Sequence, residues 1–257
     1  MRILGFLAVL LFWAYPAFSH DLYLVPGLPG AESQVCAAVG EHFPASMGAI
    51  TPQRIDRWQL LKGGEKHALK GAEVPGKLFC APQPIGGPFI VEMVVHPTFI
   101  KLSGKDFTEY TTGEGMKEIT KMRAADLAAD GRELYSRYSK LLVGPSDAHT
   151  KPLGHVLEIV PLKDPANLKP GEPLQVQVLF RGNPLADVQI AAAYSGAEMK
   201  GHEFPVVTRT DAEGRAALRL DRAGLWYARL IHMVPANDDP DYQWRSFFAT
   251  MTFTVPK

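Results

Sequence analysis

Short apolar runs, broken at close intervals by Gly and Pro, constrain this chain more than any other feature. Among 257 residues, 23 are Gly and 21 are Pro, and most stand singly or in pairs between segments of four to eight residues. Residues 21–25, 34–39, 57–61, 77–80 and 89–95 form such runs, separated by Pro26-Gly27, Gly63-Gly64, Gly76 and Gly86-Gly87-Pro88. Runs of this length bounded by turn formers suit antiparallel strands better than long helices. The rhythm changes over 113–131, where Met116, Ile119, Met122 and Leu127 recur at helical steps and Gly131 offers a C-cap. One helix is therefore expected there. An extended run at 134–143 then leads to Gly144-Pro145-Ser146-Asp147, which reads as a linker.

Beyond the linker the strand rhythm resumes at 155–160, 174–180, 188–193, 224–231 and 246–255. A hairpin is expected over 208–220, pivoting on Asp211-Ala212-Glu213-Gly214. About seven strands in that span is the count of an immunoglobulin-like sandwich. The expected fold class is mostly β: two antiparallel β-sandwich (immunoglobulin-like) domains, with one helix between them or attached to the first. The expected divisions are a leader at 1–19, an N-terminal β domain at 20–145 and an immunoglobulin- or transthyretin-like sandwich at 146–257.

The leader rests on Arg2, an unbroken apolar stretch at 3–15, Pro16, and small residues at the −3 and −1 positions of Ala17-Phe18-Ser19. Cleavage after Ser19 places the mature protein in the periplasm or otherwise outside the cytoplasm. It also makes His20 the N-terminus, so that one residue offers an amine and an imidazole to a transition metal. Cys36 and Cys80 both lie in strand-like runs, and an oxidising compartment permits a disulfide between them. Two buried thiols remain the alternative.

Lys+Arg and Asp+Glu number 27 each, without a basic block, so there is no electrostatic footprint for nucleic acid. No His-Glu-x-x-His, Gly-x-Ser-x-Gly, P-loop or Gly-x-Gly-x-x-Gly occurs, and no enzyme is expected. The eight histidines carry what chemistry the chain shows. His42 follows a strand end. His232 ends the run 224–231 on the face of Trp226, Ala228 and Leu230, and His96 ends the run 89–95. His149 and His155 flank the linker and are expected in solvent, and His67 and His202 fall in loops.

The stretch Gly154-His155-Val156-Leu157-Glu158-Ile159-Val160-Pro161, with Pro170-Gly171-Glu172 and Val178-Leu179-Phe180-Arg181-Gly182-Asn183-Pro184-Leu185, resembles the DUF4198 family. So do Thr210-Asp211-Ala212-Glu213-Gly214, Gly224-Leu225-Trp226 and Gly40-Glu41-His42-Phe43-Pro44. The resemblance implies a β-rich exported protein with a mature N-terminal histidine, a periplasmic accessory of nickel or cobalt uptake partnered by a membrane transporter component. The expected ligands are His20, His42 and His232, with His96 as a further one. The metal is a divalent transition ion, nickel or cobalt by resemblance, with copper or zinc as alternatives; on ligand chemistry copper binds most tightly. No small organic substrate is implied. The alternative reading is a non-enzymatic interaction or adhesion module without metal.

Overall fold

The structure is a computed structural model that describes residues 20–27, 33–48, 50–82, 86–199 and 203–257. The leader and His202 lie outside the described residues. The first half runs β1 (Asp21–Pro26), β2 (Gln34–Gly40), β3 (Ile55–Lys62), β4 (Glu65–Ala68), β5 (Ala72–Val74), β6 (Leu78–Pro82) and β7 (Phe89–Leu102). Helices α1 (Gly104–Gly113) and α2 (Lys117–Met122) follow, then β8 (Gly131–Val143). The second half holds β9 (Leu157–Pro161), β10 (Pro173–Phe180), β11 (Asn183–Pro184), β12 (Gln189–Tyr194), β13 (Val206–Arg209), β14 (Arg215–Arg219), β15 (Gly224–Pro235) and β16 (Trp244–Val255). The mostly β, sandwich-type expectation holds.

A central eight-stranded sheet has the order β13-β12-β15-β16-β8-β7-β3-β4. One face carries the four-stranded sheet β1-β2-β6-β5, and the other carries β9, β10, β14 and β11. Strand alternation assigns the faces. From β7, Phe89, Val91, Met93 and Val95 pack with Leu22, Leu24, Val35 and Ala37 of the four-stranded sheet. From β15 and β16, Trp226, Ala228, Leu230, Ala249, Met251 and Phe253 face the opposite way, onto Leu157, Ile159, Leu174, Val176 and Leu218.

The central sheet is antiparallel except at one seam. β16 runs parallel to β8, with Trp244 opposite Glu133 and Thr252 opposite Leu141. The expected boundary at 145/146 therefore falls between strands of a single sheet. The expected linker at 144–147 is largely exposed, but His149 and His155 beyond it, expected in solvent, are buried to 1% and 5% exposure.

Two other local expectations are corrected. The helix expected over 113–131 is instead α1 and α2, divided at Gly115, whose φ of +64° a helix does not use. Ser103 caps α1, accepting from the Asp106 N–H at 3.2 Å. Met116 and Ile119 are buried as expected, whereas Met122 and Leu127 are exposed. Gly131 opens β8 rather than capping a helix, and a Cβ there would stand 2.2 Å from the Phe107 ring. The hairpin expected over 208–220 is a crossing between sheets, because β13 pairs with β12 and β14 with β10. The Asp211 carboxylate accepts from the N–H groups of Glu213 and Arg215 and shapes the turn, but it does not pair the arms.

Cys36 and Cys80 face each other in register across β2 and β6 and form a disulfide, closing a sequence separation of 44 residues. Replacing both by Ser is expected to lower unfolding free energy by about 2–4 kcal/mol, measured in urea under non-reducing conditions. The shared sheet predicts that fluorescence of Trp58, Trp226 and Trp244 and far-UV circular dichroism report one coincident transition. Two separated transitions would show that the halves unfold independently.

Candidate functional site

Register sets the surroundings of His20. β1 and β2 pair Asp21 with Gly40, so His20 comes opposite Glu41 just beyond the ladder. His20 Nε2 stands 3.2 Å from Glu41 Oε1, with side chains 35% and 31% exposed. The turn that carries Glu41 is fastened by its neighbours. Phe43 is buried, stacks on Tyr227 at 4.5 Å between centroids and meets the Tyr23 ring edge-on at 5.2 Å. A Cβ at Gly40 would lie 2.9 Å from the Ala45 carbonyl oxygen, so close packing of this turn needs glycine. His42 itself is exposed; its carbonyl accepts from the Ala45 N–H at 2.7 Å.

The other two candidates stand in different surroundings. His96 is exposed, with Nδ1 3.8 Å from Asp56 Oδ1. His232 is half-buried on the opposite face of the central sheet, its ring 4.6 Å from that of Phe180. Burial, aided by the charge of Arg181, lowers its pKa to about 4 and keeps the imidazole neutral. Among the described residues no three His, Cys, Asp or Glu side chains come together as a metal-holding group. Of the expected ligands, His20 is the one brought beside a carboxylate of the next strand's turn, that of Glu41.

Next to β1 a belt of polar side chains crosses the central sheet between the apolar cores. Arg229 of β15 is buried and donates to Asp21 from Nε and Nη2 at 3.0 and 3.1 Å, and to Glu114, which follows α1. Burial works against its charge, but the two carboxylates outweigh it and hold its pKa well above the ordinary value. Thr250 of β16 donates to the Leu22 carbonyl at 2.6 Å, fixing β1 on the sheet. Tyr135 and Arg137 of β8 continue the belt toward Arg54, and Glu133 accepts hydrogen bonds from Ser246 and Tyr110.

The opposite face holds a second ionic cluster. Lys140 and Glu158 pair at 2.8 Å while nearly excluded from solvent. Glu158 also accepts from the backbone N–H groups of Leu153, Gly154 and His155. Glu92 accepts from Arg57 Nε at 3.0 Å and from Gln59, and lies 2.6 Å from His155 Nε2. Burial pushes its pKa up, but these partners outweigh it and bring the value to about 2. His149 Nδ1 meets Asp164 at 2.9 Å. The two histidines expected in solvent are thus structural partners of carboxylates.

These buried charges escaped sequence reasoning because each stands beside apolar residues of its strand: Glu92 within 89–95, Lys140 before Leu141 and Leu142, Arg229 between Ala228 and Leu230. A charge at an inward position of an alternating strand is the signal that marks them.

Glu133 gives a pH test of the belt. Burial raises its carboxyl to about 7, with the hydrogen bonds from Ser246 and Tyr110 and the charge of Arg137 offsetting only part of the effect. Its folded pKa lies above the unfolded value, so the folded state binds the extra proton and stability falls as pH rises from about 4.5 to about 7. The Glu133→Gln protein is expected to match wild type near pH 4.5 and to exceed it at pH 8 in thermal unfolding. An unchanged difference across that range would place the titration elsewhere.

The profile of the domain of unknown function DUF4198 matches residues 17–234. No curated protein matches the chain. Among solved structures, the D0-D1 domain of Intimin aligns at 8% identity over 92% of this chain and 98% of its own, with a TM-score of 0.24, a likeness too slight to argue from. The family profile spans β1 through most of β15, including the His20–Glu41 end and Arg54, Glu114, Glu133, Arg137 and Arg229 of the belt, and the chain belongs to the DUF4198 family.

Proposed function

We propose that this protein is an exported, periplasmic metal-binding accessory of nickel or cobalt uptake, which holds its ion at a mature N-terminus created by cleavage after Ser19. The observation that carries the reading is the placement of Glu41 at the imidazole of His20. An N-terminal histidine chelates through its amine and Nδ1, which leaves Nε2 to a carboxylate that orients the ring and raises its basicity. Glu41 occupies that position, 3.2 Å from Nε2. His42, adjacent to Glu41, is the next nitrogen donor along the chain, while His96 and His232, set against Asp56 and Phe180, stay outside the set. Three nitrogen donors and an open position suit an ion that must be handed on, here to a membrane transporter component.

Calorimetric titration with nickel and with copper tests the site. Protein beginning at His20 is compared with protein retaining Ser19, in which a single added residue buries the amine in a peptide bond. The added residue is expected to weaken binding at least tenfold, and Glu41→Gln and His42→Ala several-fold each. Affinity should fall as pH is lowered from about 8 to about 6, because amine and imidazole must be deprotonated to bind. Equal affinity with and without Ser19 would remove the N-terminus from the site. Binding no tighter than ~1 mM in every form would leave an interaction module without metal.

A further inference from the structure

Arg137 is a buried cation without a hydrogen-bonding or ionic partner among the described residues. It is 7% exposed, yet its guanidinium makes no hydrogen bond and no ion pair with any described residue, and its Nε is sealed from solvent. Five N–H donors in a fixed fork are costly to leave unmet in a protein interior. The ring of Tyr135, 4.7 Å from Cζ, and that of Phe248, 5.8 Å away, hold the guanidinium by cation–π contact. Such contacts leave the in-plane donors free.

A second guanidinium reaches the same aromatic ring. Arg54, at the end of a 3-10 turn before β3, has its Cζ 5.9 Å from the Tyr135 centroid. It donates from Nη2 alone, to Thr98 Oγ1 at 2.5 Å and to the Tyr135 hydroxyl at 3.1 Å. Glu133, four residues earlier on β8, turns one oxygen toward Ser246 and Tyr110 and leaves the other without a partner rather than pairing with Arg137. Arg229 is already matched by Asp21 and Glu114.

We infer that Arg137, assisted by Arg54 across the Tyr135 ring, is a binding site for a small carboxylate anion. The planar fork of arginine matches the two oxygens of a carboxylate, and one such ligand would satisfy the donors that the protein leaves open. Charge favours a monoanion over phosphate. Arg229 is paired with Asp21 and Glu114, Arg54 and Arg137 add two positive charges, and the Glu133 carboxyl titrates at about 7. The excess is one positive charge with Glu133 protonated and none with it ionised, too little for a dianion. The site uses neither His20 nor Glu41 and stands apart from the metal reading.

The test is a titration of the exported protein with sodium acetate, chloride making up constant ionic strength. The ¹⁵N-detected Nε–H resonance of Arg137 and calorimetry are the readouts. Saturable binding with Kd between ~0.1 and ~10 mM is expected, with the Arg137 resonance moving in step. Arg137→Lys keeps the charge and loses the fork, and at least tenfold weakening is expected. Arg54→Gln changes a half-buried residue at the rim and should weaken acetate several-fold in a protein with wild-type circular dichroism; it keeps the test decisive where Arg137→Lys does not fold. A response to acetate no different from that to chloride overturns the proposal, as does undiminished binding in Arg54→Gln and Arg137→Lys. Phosphate binding equal to or tighter than acetate overturns the assignment to a carboxylate.

Discussion

The parallel pairing of β8 with β16 is the constraint on which the rest of the molecule depends. The two strands are separated in sequence by the whole of β9 to β15, so closing the pair requires β12, β13 and β15 to extend the sheet beyond β16 while β9, β10, β11 and β14 cover one of its faces. Once β16 lies beside β8, the strands of both halves share one set of backbone hydrogen bonds. Alternate side chains of the shared strands then serve cores on opposite faces. Leu141 and Leu142 illustrate the division, adjacent in β8 and buried in different cores.

The same pairing explains why charged side chains sit so deep. Where one sheet must support a second sheet at one place and two helices at another, the cores meet imperfectly, and the gap between them is filled by groups that can bond sideways. Arg229, Thr250 and Ser139 stand in one cross-strand row in register, beneath the start of β1. A buried arginine matched by two carboxylates is weak ground for stability, since desolvation offsets much of the attraction. Its geometric effect is clearer: Asp21 is fixed at the sheet, and the residue before it is held at a defined position beside Glu41.

Much of the strand layout is legible in the sequence, because Gly and Pro act within a few residues of where they stand. The strands at 157–161, 173–180, 189–194, 224–235 and 244–255 all fall on runs that turn formers bracket. Pairing is harder to read. The Asp211 turn looks the same whether its arms join each other or separate sheets, and nothing local in 131–143 announces a parallel partner a hundred residues later. The helix error has a comparable origin: Met116 and Ile119 obey the helical period for one turn, and the backbone reversal at Gly115 decides where that turn begins. Of the candidate site, the sequence singles out His20, but not the carboxylate that the β1–β2 register sets beside it. Glu41 was hidden inside a motif whose histidine draws attention, and nothing local marks Arg137, whose ring neighbour Phe248 comes from a strand more than a hundred residues later.

The order of the central sheet also bears on how copies of the protein meet one another. An eight-stranded sheet that does not close on itself ends in two edges, here β4 and β13, and unpaired edges invite the strands of neighbouring molecules. At one end every residue of β4 is exposed, and Glu65, Lys66 and His67 dress the edge with charge and polarity. At the other, β13 is four residues long, begins after Pro205 and ends at Arg209, which is bonded back to Asp187. A neighbour approaching either edge finds little backbone to pair with and must desolvate charge to reach it. The large sheet that unites the molecule is thereby kept from extending into an aggregate at high protein concentration.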